Sequence, residues 1–272
     1  MLIILGAGVL LTQLAYAVLN LSALPMYVRF TLGEGKSLGL ILSTFLLTEA
    51  VSRPAFGALG DRIGRKPLLI AGPAITAITA YLTIKFQSPF VLIGLRAIDG
   101  LGCGALWPSA FTTVGDVVDE TKHSTAMSVL NGTYMGGLAL GFLLGGVVND
   151  YFGSYTASFY LVSVLLVMAV LVIGIFFPNT AGQRKRILKS EETEIELPTF
   201  EEPTPFKLSN LLRSFHEVPD IVVMAAVTYL GMGLLIPIVK LYAVEHLGLS
   251  ETQFGLAVAP VIGMPNSVCS GT

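Results

Sequence analysis

Eight runs of apolar residues, each about 20 long, succeed one another along this chain, near residues 3–28, 37–59, 67–84, 89–113, 124–149, 155–177, 220–243 and from about 253 to the end. At 1.5 Å per residue, such a run is long enough to cross a hydrocarbon layer about 30 Å thick as a helix. Inside lipid every backbone N–H and C=O must find its partner within the segment or in a closed barrel, and uninterrupted runs of this length select the helix. Only 12% of residues are charged, against roughly 25% in a soluble domain. The expected fold class is therefore an all-α membrane protein, with the lipid bilayer as its principal surroundings. A net charge of -2 gives no polycationic surface, so no nucleic-acid partner is expected. Residues 1–28 have no basic leader and no cleavage-like end, and are expected to form an uncleaved first span. Cys103 and Cys269 lie inside apolar runs without metal-ligand spacing and read as small core residues.

The cations set the orientation. The gaps after the second, fourth and sixth runs hold Arg62, Arg65, Lys66, Lys122, Arg184, Lys185, Arg186, Lys189, Lys207 and Arg213, whereas the other side holds Arg29, Lys36, Lys85 and Lys240, placed at the membrane surface. Because cytoplasmic loops retain Lys and Arg, the N-terminus and the even-numbered gaps are expected in the cytoplasm of a multi-pass cell-membrane protein. Between Pro178 and Pro219 the text turns charged and proline-containing, with a run of glutamates from Glu191 to Glu202. It reads as a cytoplasmic linker, in which Leu208, Leu211, Leu212 and Phe215 have the spacing of a short surface helix. The expected domains are a six-helix bundle at 1–178, the linker at 179–219, and about two helices of a second bundle at 220–272.

Between the second and third runs lies Gly57-Ala-Leu-Gly-Asp61-Arg62-Ile-Gly64-Arg65-Lys66-Pro67. It is too short for a domain and too charged for lipid, so it must turn tightly at a membrane surface, with Gly64 free to take a positive φ and Pro67 suited to start a helix. The pattern G-x-L-x-D-R-x-G-R-K resembles the loop between the second and third helices of the major facilitator superfamily. That resemblance implies a major facilitator-type helical bundle and a secondary transporter of a small solute. It also implies a conformational gate made of Gly57, Asp61, Arg62, Gly64, Arg65 and Lys66, with Asp116 pairing to Arg65 or Arg62. Leu24-Pro25 and Arg29 are echoed by Ile236-Pro237 and Lys240, and Gly39-Leu40 by Gly255-Leu256, as a parallel repeat of two halves would produce. On this alignment Gly271 falls near the counterpart of Gly57. About four helices of the family's pattern have no counterpart here, so truncation is expected.

In the fourth run Arg96, Asp99, Gly100, Cys103 and Trp107 recur at three- and four-residue steps on one helix face. An arginine and an aspartate in a membrane helix are costly unless paired or hydrated, so this face is expected to meet a cavity. Arg96-x-x-Asp99-Gly100-x-Gly102 is similar to the family's fourth-helix motif, whose arginine is associated with proton transfer in proton-coupled members. An uncharged amide usually stands where this chain has Asp99. Asp99 is thus either a titrating carboxylate or a permanent i,i+3 partner of Arg96. On the first helix Gln13, Tyr16, Asn20 and Tyr27 share a face, either lining a solute path or bonding to neighbouring helices. On the second, Glu49 stands four residues before Arg53 and is the other candidate proton carrier.

The fifth run carries Gly137-x-x-x-Gly141-Phe142-x-x-Gly145-Gly146, a spacing that lets helices approach closely. It is similar to the fifth-helix motif of drug:proton antiporters, with Phe142 where that motif has proline and Ser128 where it has its first glycine. The resemblance points to a drug or small organic solute and to protons as candidate coupling ions. Drug antiporters often have a carboxylate on the first helix, and none is present here. The alternative is a non-transporting membrane protein, a truncated relic or a regulatory partner. No His-Glu-x-x-His, Ser-His-Asp set or phosphate-binding loop occurs, so neither enzyme activity, cofactor nor metal is expected.

Overall fold

The computed structural model describes residues 2–33, 37–118, 120–177 and 238–263. Among these the secondary structure is helical, without a strand. Six helices succeed one another in antiparallel fashion: α1 (Leu2–Thr31), α2 (Leu38–Ile63), α3 (Arg65–Lys85), α4 (Pro89–Val117), α5 (Glu120–Phe152) and α6 (Ala157–Phe176). Residues 238–246 are also helical and constitute α7, followed by α8 (Glu251–Gly263). The linker and its short surface helix lie outside the described residues, as do Ile236, Pro237 and Cys269.

Five of these helices, α1 and α3 to α6, are long and apolar enough to cross a membrane. The helix α2 falls below that apolarity because it carries Glu49 and Arg53 among small residues, yet its 26 residues reach across by length. Helices overrun the apolar runs by several residues where a turn is tight. Thus α2 continues through Asp61 and Arg62, and α3 begins at Arg65 rather than Pro67. Gly64 alone separates them, at φ 92°, a conformation that a Cβ would strain. Pro67 sits third in α3, within the first turn, where its missing N–H has no helical carbonyl to lose.

Two apolar clusters fill the six-helix bundle. Near the end opposite the α2–α3 turn, hereafter the far end, Val18, Leu24, Tyr27, Ile41, Leu92, Phe159 and Val162 pack together. Toward the turn end, Leu69, Cys103, Leu106, Trp107, Leu130 and Ile173 form the second. The chief helix contacts are α2 with α4, α3 with α4 and α6, and α1 with α5 and α6. A third cluster, Phe142, Ala243 and Phe254, joins α5 to α7 and α8 at the far end.

Two local features depart from the even helical periodicity expected of the sequence. First, α1 widens to π geometry at Val18–Ala23 and Tyr27–Thr31, which rotates the face that a 3.6-residue period assigns. Tyr27 still reaches α3, as Tyr16 does, its hydroxyl donating to the Thr83 carbonyl at 3.4 Å and its ring meeting Phe159 edge-on, whereas Asn20 turns to Arg96 of α4. Second, Lys240 is not at the surface. It is 1% exposed, because a carboxylate and a hydroxyl meet its ammonium inside the protein.

Candidate functional site

The turn end is built around one guanidinium. Helix α3 starts immediately after Gly64, so Arg65 points back along α2, and its side chain is buried. Its Nη2 donates to Asp61 at 2.5 Å, its Nη1 to the Gly57 carbonyl at 3.4 Å, and its Nε to Asp116 on α4 at 3.3 Å. One arginine thereby ties the ends of three helices, using the fork of donors that lysine lacks. Gly60 is part of the fit, because a Cβ there would come within 2.7 Å of Arg65 Nη1. Of the other residues in the predicted gate, Arg62 is exposed and Lys66 half-buried on the rim of the turn. Asp116 meets Arg65 rather than Arg62.

In the middle of the bundle lie two acid–base pairs. Arg96 and Asp99, both essentially inaccessible, form an i,i+3 ion pair on α4 at 2.9 Å. Arg96 Nη1 also donates to Asn20 Oδ1 at 3.3 Å, and its guanidinium lies 5.9 Å from the Phe45 ring centroid. Thr76 and Thr79 of α3 face Asp99. Thr76 also bonds the Tyr16 hydroxyl at 2.7 Å. The second pair, Glu49 with Arg53, runs along α2 with Glu49 the more deeply set. Burying Glu49, Arg96 and Asp99 in an apolar bundle is tolerable because each acid meets its base within about one turn of helix, Arg53 itself remaining part-exposed.

No open path follows the predicted α4 face among the described residues. Asp99 is sealed, Gly100 lies against Phe45, Thr48 and Glu49 of α2, and Trp107 is wedged edge-on against Tyr134 of α5 at 4.8 Å. Gln13 lies against Gly137 of α5, whereas Tyr16 turns to α3 and Asn20 to α4. Tyr16 and Asn20 thus bond to neighbouring helices in this conformation, and Gln13 packs against α5.

The glycines explain how such polar groups are brought close. Cβ atoms added at Gly137, Gly141 and Gly145 would strike Gln13, Leu14 with Ala17, and Ser22, so α5 seats its glycine row directly on α1. Gly146 faces the backbone of Glu251 on α8. A second seam was not singled out from the sequence. Gly102 and Gly72 meet backbone to backbone between α4 and α3, and Gly104 meets Ser52 on α2. Gly100, Gly102 and Gly104 thus pack one helix between two others. Their alternate spacing, which is also that of a phosphate loop, held the signal.

At the far end the chain joins α7 and α8 to α1 and α5 through a buried polar network that sequence reasoning did not find. Lys240 Nζ donates to Glu251 at 2.6 Å and to Ser22 Oγ at 2.7 Å. Glu251 also accepts from Asn149 Nδ2 at 3.1 and 3.3 Å and from Ser22 Oγ at 3.3 Å. The start of α8 is fixed by a reciprocal capping box, Ser250 Oγ receiving the Gln253 N–H and Gln253 Oε1 the Ser250 N–H. Asp150 of α5 adds bonds from the Thr252 N–H and hydroxyl at 2.8 and 2.5 Å. Arg29 and Glu245 pair at 2.6 Å on the rim. The Ser-x-x-Gln spacing was the readable part; the Lys240–Glu251 pairing was hidden because it closes across a turn between helices.

The family model described as Major Facilitator Superfamily matches residues 5–272. The multidrug resistance protein MdtG of Citrobacter koseri is 29% identical over 246 residues, covering 89% of this chain and 57% of that protein. The multidrug resistance protein D of Escherichia coli is 28% identical over 156 residues, covering 56% of this chain and 39% of that protein. Among solved structures, a D-xylose-proton symporter superposes with a TM-score of 0.66 at 14% identity, covering 96% of this chain and 65% of the other. A bacterial homologue of the human drug peptide transporters PepT1 and PepT2 gives 0.59 at 16% identity, covering 96% and 56%. This chain therefore spans little more than half the length of the first of these relatives, and less of the second. With the helical order, the apolar spans and a family match over nearly its whole length, the chain is a multi-pass membrane protein and belongs to the Major Facilitator Superfamily.

Proposed function

We propose that this chain belongs to a secondary transporter that moves a small organic solute of the drug-like class by alternating access. On this reading residues 1–178 are one rocking unit, 179–219 a cytoplasmic linker, and 220–272 two helices of the second unit. The turn end faces the cytoplasm. The clasp of Asp61, Arg65 and Asp116 is a latch that must loosen in each cycle, and Gly57, Gly64, Arg62 and Lys66 shape its turn. Gln13, Tyr16, Asn20, Glu49, Arg96, Asp99 and Trp107 form the polar centre that the solute or a coupling proton would reach when the units part. Membrane carriers of this family move their cargo without chemical change, so no enzyme activity is proposed.

The observation that carries the reading is the Arg96–Asp99 pair, sealed at the centre of an apolar bundle, with Asn20 of α1 bonded to Arg96 and Thr76 of α3 facing Asp99. Charge at that depth is costly, and a purely structural bundle would be as stable with apolar side chains there. The named activities of the relatives, multidrug and chloramphenicol resistance among them, support the solute class. The test is uptake of a panel of planar lipophilic cations and neutral drugs into energised inverted vesicles containing the protein. Asp61→Asn should insert normally and slow movement by about tenfold, the coupling expected of a conformational latch. Movement at the parent rate would refute the latch, and no movement of any member of the panel by the parent protein would refute drug transport.

A further inference from the structure

We infer that the groove between α5 and α6 at the far end is a binding site for one phospholipid with a zwitterionic headgroup, whose acyl chain fills it. The groove has a volume of 510 Å³ and is walled by Val148 and Phe152 of α5 and by Ala157, Tyr160, Leu161 and Val164 of α6. Its surroundings are hydrocarbon. Helix α6 has no charged residue and little of it is buried, so an apolar recess on its uncovered side meets acyl chains.

The recess is built into the packing of the two helices. Beside it the buried Ser158 hydroxyl donates to Asn149 Oδ1 at 2.6 Å and lies 3.2 Å from the Gly145 carbonyl, which pins α6 to α5. Ala157, the smallest of the lining residues, leaves space between the exposed rings of Phe152 and Tyr160. A groove held open in advance lowers the cost of ordering its occupant to that of the acyl chain alone.

The polar end suits a headgroup. Gly153, at φ 58°, reverses the chain, and Ser154 and Thr156 beyond it complete the lining. Their hydroxyls lie 2.8 Å apart, and Ser154 Oγ also accepts the Thr156 N–H. One hydroxyl proton is used between them; the other has no partner among the described residues and is free to donate to a phosphate or ester oxygen. Exposed Tyr151 and Tyr160 supply the aromatic rings that membrane proteins place at headgroup level.

Charge decides the headgroup. From Val147 to Val164 there is no Lys or Arg and a single acid, Asp150. Other far-end cations are engaged: Arg29 with Glu245, Lys240 with Glu251, and Lys85 over the Tyr81 ring. An anionic headgroup is recognised by a cluster of such cations. The mouth therefore suits a lipid that carries its own ammonium, such as phosphatidylethanolamine.

The test is quenching of tryptophan fluorescence by phospholipids with brominated acyl chains, in vesicles. Every chain carries Trp107→Phe, which removes the one native tryptophan. The reporter is Tyr160→Trp in the groove or, for ordinary surface lipid, Ile78→Trp, at a position 60% exposed on α3. Brominated phosphatidylethanolamine is titrated into phosphatidylglycerol. Half-quenching at Tyr160→Trp should come at about tenfold lower mole fraction than at Ile78→Trp, the worth of one hydrogen bond to a charged oxygen. Ser154→Ala with Thr156→Ala, or Ala157→Leu, should bring the two curves together, while Ile78→Trp keeps its own curve in each background and so reports intact insertion. Equal curves before those changes, a groove preference for brominated phosphatidylglycerol in the reverse titration, or a difference that survives both changes would each overturn the inference. So would a groove reporter that no lipid quenches, because another helix of the protein would then cover it. The inference goes beyond the transport reading, and its test measures no flux, so either can fail without the other.

Discussion

Replacing Gly141 by alanine adds a single methyl group where α1 and α5 meet backbone to backbone. That atom would fall on the Leu14 carbonyl and stand 2.7 Å from Ala17 Cβ, whereas apolar carbons rest at about 3.5–4.0 Å. Neither obstacle is the end of a flexible side chain, so no rotamer change relieves it, and the helices must separate by roughly 1 Å to recover that spacing. Overpacking of this kind costs about 1–3 kcal/mol. The loss is felt along the seam, because Gly137 and Gly145 make the same approach one turn to either side. Gly136, one residue from Gly137, is the control. A Cβ there meets nothing within 4 Å among the described residues, and alanine gains up to about 1 kcal/mol of helix propensity over glycine.

The two variants have the same change of chemistry on the same helix, so their difference isolates the fit of the seam. It should be about 1–3 kcal/mol, the overpacking cost alone, because both variants gain the same helix propensity. Reversible unfolding in mixed micelles, by titration with a denaturing detergent, measures it directly. Gly141→Ala as stable as Gly136→Ala would refute the claim that bare backbone contact holds α1 on α5.

The glycine row of α5 was legible before any coordinates, since four-residue spacing of glycine has one common physical use inside lipid. So was the order of the first six helices, because length and apolarity are properties of the chain itself; the contact of Asp116 with the α2–α3 turn was expected only through the family resemblance. The choice of Arg65 over Arg62 was not. It depends on α3 beginning at Arg65, which in turn depends on Gly64 taking up the whole reversal alone. The two π segments of α1 were hidden as well, because no residue type announces them. Lys240 was misplaced because a lone lysine near the end of an apolar run ordinarily reaches the surface. Only the fold shows Glu251 returning across the α7–α8 turn to meet it.

Removing charge from the centre and from the far end should give contrasting results. Asp99→Ala leaves Arg96 buried without its counter-charge and should destabilise the chain by about 3–5 kcal/mol, as loss of one member of a buried pair does; Arg96→Met together with Asp99→Ala should recover most of that, measured by the same detergent titration. Asp150→Ala removes two bonds to Thr252 at the start of α8 and should cost about 1 kcal/mol, the ordinary worth of a helix cap. That loss should fall on α8 alone, because the six-helix bundle does not use Asp150 in either of its apolar clusters. Amide hydrogen exchange distinguishes the cases: faster exchange confined to residues 251–263 and the facing end of α5 is expected for Asp150→Ala. Acceleration spread through α2, α3 and α4 would instead mean that α8 is an integral part of the bundle's stability, and the picture of one helix pair, α7–α8, docked on a self-sufficient unit would fail.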